Sequence, residues 1–209
     1  MLQKLLDTIA RQPALWDAFR SIAEFGFTAD YTVIERELKP FGGDPQRRFL
    51  DFGCGTGQFA HCFPADRYYG FDIAPHYVSH ARRSIPHRLC VMNGTAVGFA
   101  SNTFDAALIM GVFHHLDDAT VIACVKELHR MLRTNGIILM LEDIPTQNPL
   151  NLPGRAMHWL DRGDNIRDVA HYQRLMEPYF SIQRSTTILS GICDLGVYVM
   201  SRNDSLIPA

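Results

Sequence analysis

The run Leu50-Asp51-Phe52-Gly53-Cys54-Gly55-Thr56-Gly57 constrains this chain more than any other segment. A stretch with the look of a buried strand runs straight into three glycines at alternate positions, with an acid two residues before the first. Glycine is required where the backbone takes a positive φ, or where a ligand lies too close to the main chain to leave room for a Cβ. The strand must therefore end in a sharp turn that opens towards something large. A second apolar strand, Tyr68-Tyr69-Gly70-Phe71, closes on Asp72, fifteen residues beyond Gly57. In a βαβ nucleotide-binding unit, an acid in that place receives the ribose hydroxyls.

The rest of the chain alternates in the same manner. Helical spacing of Leu5, Leu6, Ile9, Leu15, Phe19 and Ile22 predicts helices over 2–12 and 14–24, split by Pro13. Thr28 or Asp30 caps a third helix that ends before Pro40. The loop Phe41-Gly42-Gly43-Asp44-Pro45 separates this helical cap, residues 1–44, from a core over 45–145. Within the core, strands are expected at 49–52, 67–71, 88–92, 104–111 and 137–141. Helices are expected at 57–63, 75–84 and 118–133, the last stopped by Asn135-Gly136 through a left-handed cap. Residues 146–209 then carry helical, loop-rich sequence followed by two closing strands, 180–189 and 193–201, joined near Gly191. Apolar strands alternating with helices predict an α/β fold, a mostly parallel sheet covered on both faces, in a single domain.

Composition narrows the function. A chain of 209 residues with a net charge of -2 and no Lys/Arg cluster lacks the basic face that nucleic acid demands. The N-terminus is broken by charges, so neither a signal peptide nor a membrane span is expected. Cys54, Cys62, Cys90, Cys124 and Cys193 are scattered and form no Cys-x-x-Cys pair, which points to a reducing, cytoplasmic setting without a disulfide framework or zinc site. His114 and His115 are adjacent, and on an extended backbone adjacent side chains point to opposite sides, a poor arrangement for a metal.

Taken together, the glycine motif 51–57, Asp72, Asn102-Thr103-Phe104-Asp105, His114-His115-Leu116-Asp117-Asp118 and the helix leading to Arg133-Thr134-Asn135-Gly136-Ile137 resemble the class I S-adenosylmethionine-dependent methyltransferases. Within that class the chain resembles the small-molecule group (methyltransferase type 11) that includes quinone-biosynthesis enzymes. The resemblance is strong over 48–143 and general elsewhere. It implies a Rossmann-like sheet of seven strands, the last antiparallel. It also implies S-adenosyl-L-methionine as cofactor and a small-molecule acceptor methylated at oxygen or carbon. The nicotinamide fingerprint is not met, because Gln58 stands where its last glycine belongs.

The site residues follow from that resemblance. Gly53, Gly55 and Gly57 let the backbone approach the methionine part of the cofactor, while Asp51 either contacts its amino group or caps the turn. Asp72 takes the ribose hydroxyls or caps the next helix; Ile73 packs on adenine. Asn93 replaces the family's usual Asp at the adenine amino group, with Gly94 and Thr95 sharing the task, and Met110 and His114 border the cofactor. His115 is the candidate general base, a histidine titrating near working pH, or else bonds a backbone carbonyl and shapes the loop. Trp16, Phe19, Phe25, Phe27 and Tyr31 either close over the cofactor or form helical core. Arg162 and Arg167 either hold an acidic acceptor or sit in a solvated, salt-bridged turn. Rival readings are a protein or nucleic-acid methyltransferase, and a cofactor-binding partner subunit or catalyst that does not methylate.

Overall fold

The computed structural model describes residues 12–85, 88–160 and 165–205. The helix expected over 2–12 lies, but for Gln12, outside the described residues. The order of elements is α1 (Pro13–Ala23), α2 (Thr28–Leu38), β1 (Phe49–Phe52), β2 (Tyr68–Asp72), α3 (Pro75–Ala81), β3 (Leu89–Val91), β4 (Phe104–Met110), α4 (Asp118–Met131), β5 (Leu132–Asp143), α5 (Leu152–Leu160), α6 (Val169–Met176), β6 (Phe180–Ser190) and β7 (Cys193–Arg202). The seven strands form one sheet in the order β3-β2-β1-β4-β5-β7-β6. Strands β1 to β5 pair in parallel, and β7 runs antiparallel to both β5 and β6.

Alternation along the strands builds the two faces. Leu50, Phe52, Ala107, Ile109, Ile138 and Met140 point to one side, where they pack against Val121, Val125 and Leu128 of α4 and Tyr172 and Met176 of α6. Phe49, Ala106, Leu108, Leu139 and Leu141 point to the other, against Val33, Ile34 and Leu38 of α2 and Val78 and Ala81 of α3. Each fully buried Val, Leu, Ile, Phe or Met side chain among these contributes about 1.5–3 kcal/mol. With both faces covered, the free edge of the parallel strands is their C-terminal end, which is where ligands of open α/β sheets bind.

Several local expectations needed correction. The helix expected at 57–63 is a single 3₁₀ turn, Ala60–Cys62, because Gly57 enters it at φ +77° and Pro64 follows closely. Helix α4 ends at Met131, not at Asn135-Gly136, since Leu132 already has extended backbone and pairs with Phe104. Asn135 does take a left-handed φ of 65°, but inside an irregularity that shifts the β4–β5 pairing from Leu132 to Ile137. Neither Thr28 nor Asp30 caps α2; its cap position is Phe27, in left-handed backbone, and Asp30 is buried.

Candidate active site

The glycine motif turns at the C-terminal end of β1 with Gly53, Gly55 and Gly57 all at positive φ, 72°, 51° and 77°. The three glycines serve different ends. A Cβ on Gly53 would stand 2.7 Å from the Val112 side chain, and one on Gly57 would strike Ile85, so both are needed for packing. A Cβ on Gly55 would meet nothing within 4 Å. That open side is where a ligand can lie against the main chain.

Two acids flank the turn. Asp72 accepts from the Gly55 N–H at 2.9 Å through one carboxylate oxygen, and from the Ala74 N–H at 2.8 Å through the other. It ties the end of β2 to the glycine turn and to the start of α3, where Ala74, not Asp72, is the helix cap. Asp51 is buried at the end of β1 and accepts from the Tyr68 hydroxyl at 2.7 Å. Burial raises its carboxyl from 3.8 to about 7, although the Tyr68 hydrogen bond pulls it back down. A carboxylate held in this state gains most from a cation placed beside it.

Beyond β2, Ile73 is 67% exposed and Val91, at the end of β3, is 46% exposed, two large apolar side chains standing open beside each other's strands. Asn93 follows, with its carbonyl oxygen accepting from both the N–H and the hydroxyl of Thr95 at 3.0 Å. Thr95 thus fixes Asn93 directly. Gly94 is a packing residue, because a Cβ there would stand 2.6 Å from the Phe52 ring. Met110 is buried at the end of β4 among the residues facing α2 and α3.

The two histidines do not point apart. They lie in a 3₁₀ turn, Phe113–His115, rather than on extended backbone, and their ring centroids are 3.9 Å apart. His114 is buried and His115 exposed. Glu142, fully buried at the end of β5, organises this turn. Its carboxylate accepts from the N–H groups of Val112, Phe113 and His114 at 2.9, 2.8 and 3.3 Å, and lies 3.0 Å from His114 Nδ1. Asp143 Oδ2 is 3.6 Å from the same nitrogen. Glu142 and Asp143 were not singled out in the sequence, where an acidic pair closing the apolar run Ile137–Leu141 was the available signal.

Arg167 does not face a ligand. It is buried, with Nε donating to Asp118 at 2.7 Å and the terminal nitrogens to the carbonyls of Phe113, Leu116 and Asn165 at 2.6–2.9 Å. It clamps the histidine turn to the start of α6, and most of its donors are used in doing so. Arg162 lies outside the described residues. Cys54 is buried in the glycine turn with its thiol pushed up by burial, so it is not a nucleophile at neutral pH. Among the described residues no cluster suits a metal ion.

Helix α1 lies across the mouth of the turn: Asp17 accepts from the Thr56 hydroxyl at 2.7 Å. Its far end is gripped by the β6–β7 turn, where Ile192 N–H donates to the Ala23 carbonyl at 3.0 Å and Gly191 leaves the room that a side chain would fill. Arg20 and Glu24, an ion pair at 2.6 Å, project from this helix towards the ends of β4 and β5, and neither stood out in the sequence.

Comparison with known proteins bears on this arrangement. Residues 50–140, a little under half of the chain, match the family model for a methyltransferase domain. Over that span the chain is similar to a methyltransferase domain. A SAM-dependent methyltransferase from Methanosarcina mazei shares its fold at a TM-score of 0.65 and 16% identity, over 82% of this chain and 98% of that one. Geranyl diphosphate C-methyltransferase from Streptomyces coelicolor, solved with S-adenosyl-L-homocysteine, does so at 0.65 and 15%, over 84% and 76%. The [4+2]-cyclase SpnF shares it at 0.64 and 16%, over 83% and 80%. A search of the curated proteins gave no match. The glycine turn and Asp51 through Asp72 lie inside the matched span; α1 and the acidic end of β5 lie outside it.

Proposed function

We propose that this protein transfers a methyl group from S-adenosylmethionine to a small-molecule acceptor at oxygen or carbon. The observation that carries the reading is the vacant side of Gly55 between two carboxylates, one buried beneath the turn and one ending β2. Asp51 would pair with the cofactor's ammonium, Asp72 would accept from its ribose hydroxyls, and Ile73 and Val91 would cover the adenine. When bound, S-adenosylmethionine supplies a methyl group already activated by its sulfonium, and leaves as S-adenosylhomocysteine.

The chain's own residues then have two tasks, to align the acceptor and to take its proton. His114 suits the second better than His115. Nδ1 of His114 is turned to Glu142 and its ring adjoins Gly111 at the end of β4, so Nε2 would be the nitrogen that takes the proton. Glu142 fixes the ring and compensates the charge it gains with a proton, the role of an orienting carboxylate behind a general base. His115, exposed next to it, borders the opening. A small acceptor is favoured over nucleic acid by the net charge of -2. Five free cysteines suit the reducing cytoplasm, and no helix among the described residues is long and apolar enough to cross a membrane.

The test is formation of S-adenosylhomocysteine from S-adenosylmethionine in the presence of a fractionated pool of metabolites, with the methylated product identified by mass. Release that depends on one fraction supports the reading. Tight cofactor binding with no transfer to any fraction would favour a non-methylating catalyst, an outcome for which the cyclase neighbour gives precedent on this fold.

A further inference from the structure

Three segments meet at the β6–β7 turn. The Ile192 N–H donates to the Ala23 carbonyl at 3.0 Å, and the Ile192 carbonyl accepts from Asn151 Nδ2 at 2.9 Å. Large apolar side chains that face water surround this junction. Ile22 and Phe25, on either side of Ala23 and Glu24, are 77% and 70% exposed. Leu150 and Leu152, on either side of Asn151, are 85% and 66% exposed, and Leu189, near the end of β6, is 57% exposed. Among the described residues eight large hydrophobic side chains stand exposed, and these are five of them. Single exposed apolar residues are ordinary, but five gathered at one corner mark a surface that meets something apolar.

We propose that this corner docks on a lipid bilayer with anionic headgroups, Ile22, Phe25, Leu150, Leu152 and Leu189 entering the headgroup region and Arg155 meeting lipid phosphate. The inference goes beyond methyl transfer and does not rest on it. Charge selects the partner. Over 21–30, 145–158 and 188–194 the acids are Glu24, Asp30 and Asp194, and all three are buried. The exposed charge on those segments is Arg155, one turn beyond Leu152 in α5. An anionic surface therefore meets a cation and no exposed carboxylate, and apolar insertion and electrostatic attraction act together. Shape agrees. The five side chains project from the ends of α1, α5 and β6 and the connections beside them, not from one flat face. A rigid partner needs a hollow to match such projections, whereas the headgroup region yields around them. Leu195, near the start of β7, pairs with Asp143 at the end of β5, so the corner lies at the C-terminal edge of the parallel strands. Docking would turn that edge, with the glycine turn, towards the lipid.

The test is co-sedimentation of the full chain with large unilamellar vesicles, one set mixing phosphatidylcholine with phosphatidylglycerol and the other of phosphatidylcholine alone. The parent should pellet with both and favour the anionic mixture about fivefold, the contribution of one arginine near a charged surface. Leu150→Ser with Leu152→Ser should weaken partition into both sets by about a hundredfold, roughly tenfold for each large side chain no longer withdrawn from water. Ile22→Ser with Leu189→Thr, on the other two segments, should do the same, which a local disturbance of the 150–152 loop would not. Arg155→Gln should weaken binding to the anionic mixture alone. These positions are exposed, so each variant should unfold at the parent's temperature, and if one pair does not fold the other decides. Failure of the parent to pellet, binding unchanged in the folded variants, or a preference for the neutral vesicles would each overturn the proposal. So would a parent dimer in sedimentation velocity that the same substitutions dissociate, since the corner would then belong to a second copy of the chain.

Discussion

Asp51 offers a way to see the cofactor site titrate. Its carboxyl is buried under the glycine turn and raised from 3.8 to about 7, burial outweighing the hydrogen bond from Tyr68. A shift of about 3 units corresponds to roughly 4 kcal/mol against the anion in the free protein. A ligand ammonium beside it restores the anion, so binding must release a proton when it starts from the neutral acid. Affinity for S-adenosylhomocysteine should therefore be flat above pH 8 and fall about tenfold per unit below pH 6. Calorimetry at pH 6 in buffers of different ionisation enthalpy should report close to one proton released, and at pH 8.5 close to none. Tyr68→Phe removes the hydrogen bond that favours the anion and should move the whole profile to higher pH. Asp51→Asn should bind weakly at every pH and lose the profile. An affinity that does not change between pH 5.5 and 8.5, with no proton release, would refute the pairing of Asp51 with the ammonium.

Three further outcomes follow from the same geometry. Asn93→Asp should keep or tighten cofactor binding: one oxygen can retain the turn to Thr95 while the second, charged, accepts from the adenine amino group, and a large loss of affinity in a folded variant would contradict this. His114→Ala should lower kcat by about 10²–10⁴-fold and flatten its acid limb, with His115→Ala losing less than about tenfold; the reverse order would return the base to His115. Glu24, Asp30 and Asp51 have carboxyls raised by burial to about 7, 6 and 7, so between their unfolded values and those values the native state holds more protons than the unfolded chain. Stability must then fall as pH rises from about 4 to 7, by about 1.4 kcal/mol per unit for each group titrating, and a Tm that rises over that range would contradict the burial of these acids.

The sheet was legible because its signals are local. Apolar runs such as Ile137–Leu141 have no alternative in a chain that alternates this regularly, and the glycine triad fixes where β1 must stop. The positions proposed for the cofactor are strand ends and the turns that follow them, and these local features could be located for the same reason. Errors fell where a local signal was overridden. Asn135-Gly136 has the chemistry of a helix cap, yet pairing of Leu132 with Phe104 draws the chain into the sheet first. Adjacent histidines read as opposed only if the backbone is extended, and the three N–H groups that Glu142 gathers wind it into a 3₁₀ turn instead. Arg167 read as a possible acceptor ligand because most of its partners, Asp118 and the carbonyls of Phe113 and Leu116, are distant in sequence. Arg20 and Glu24 were invisible for a related reason: an i,i+4 pair on an amphipathic helix looks like a solvated face until the helix is docked over the strand ends.

The claim on which the rest depends is that the cofactor lies between the glycine turn and Asp72. Titration calorimetry with S-adenosylhomocysteine tests it, with the parent beside Asp72→Ala and each checked for folding by circular dichroism. The parent should bind one equivalent. The variant should lose about 1.5–3 kcal/mol, some tenfold to a hundredfold in affinity, as the charged acceptor for the ribose hydroxyls is removed. No binding by the parent, or equal affinity in a folded Asp72→Ala protein, would contradict it.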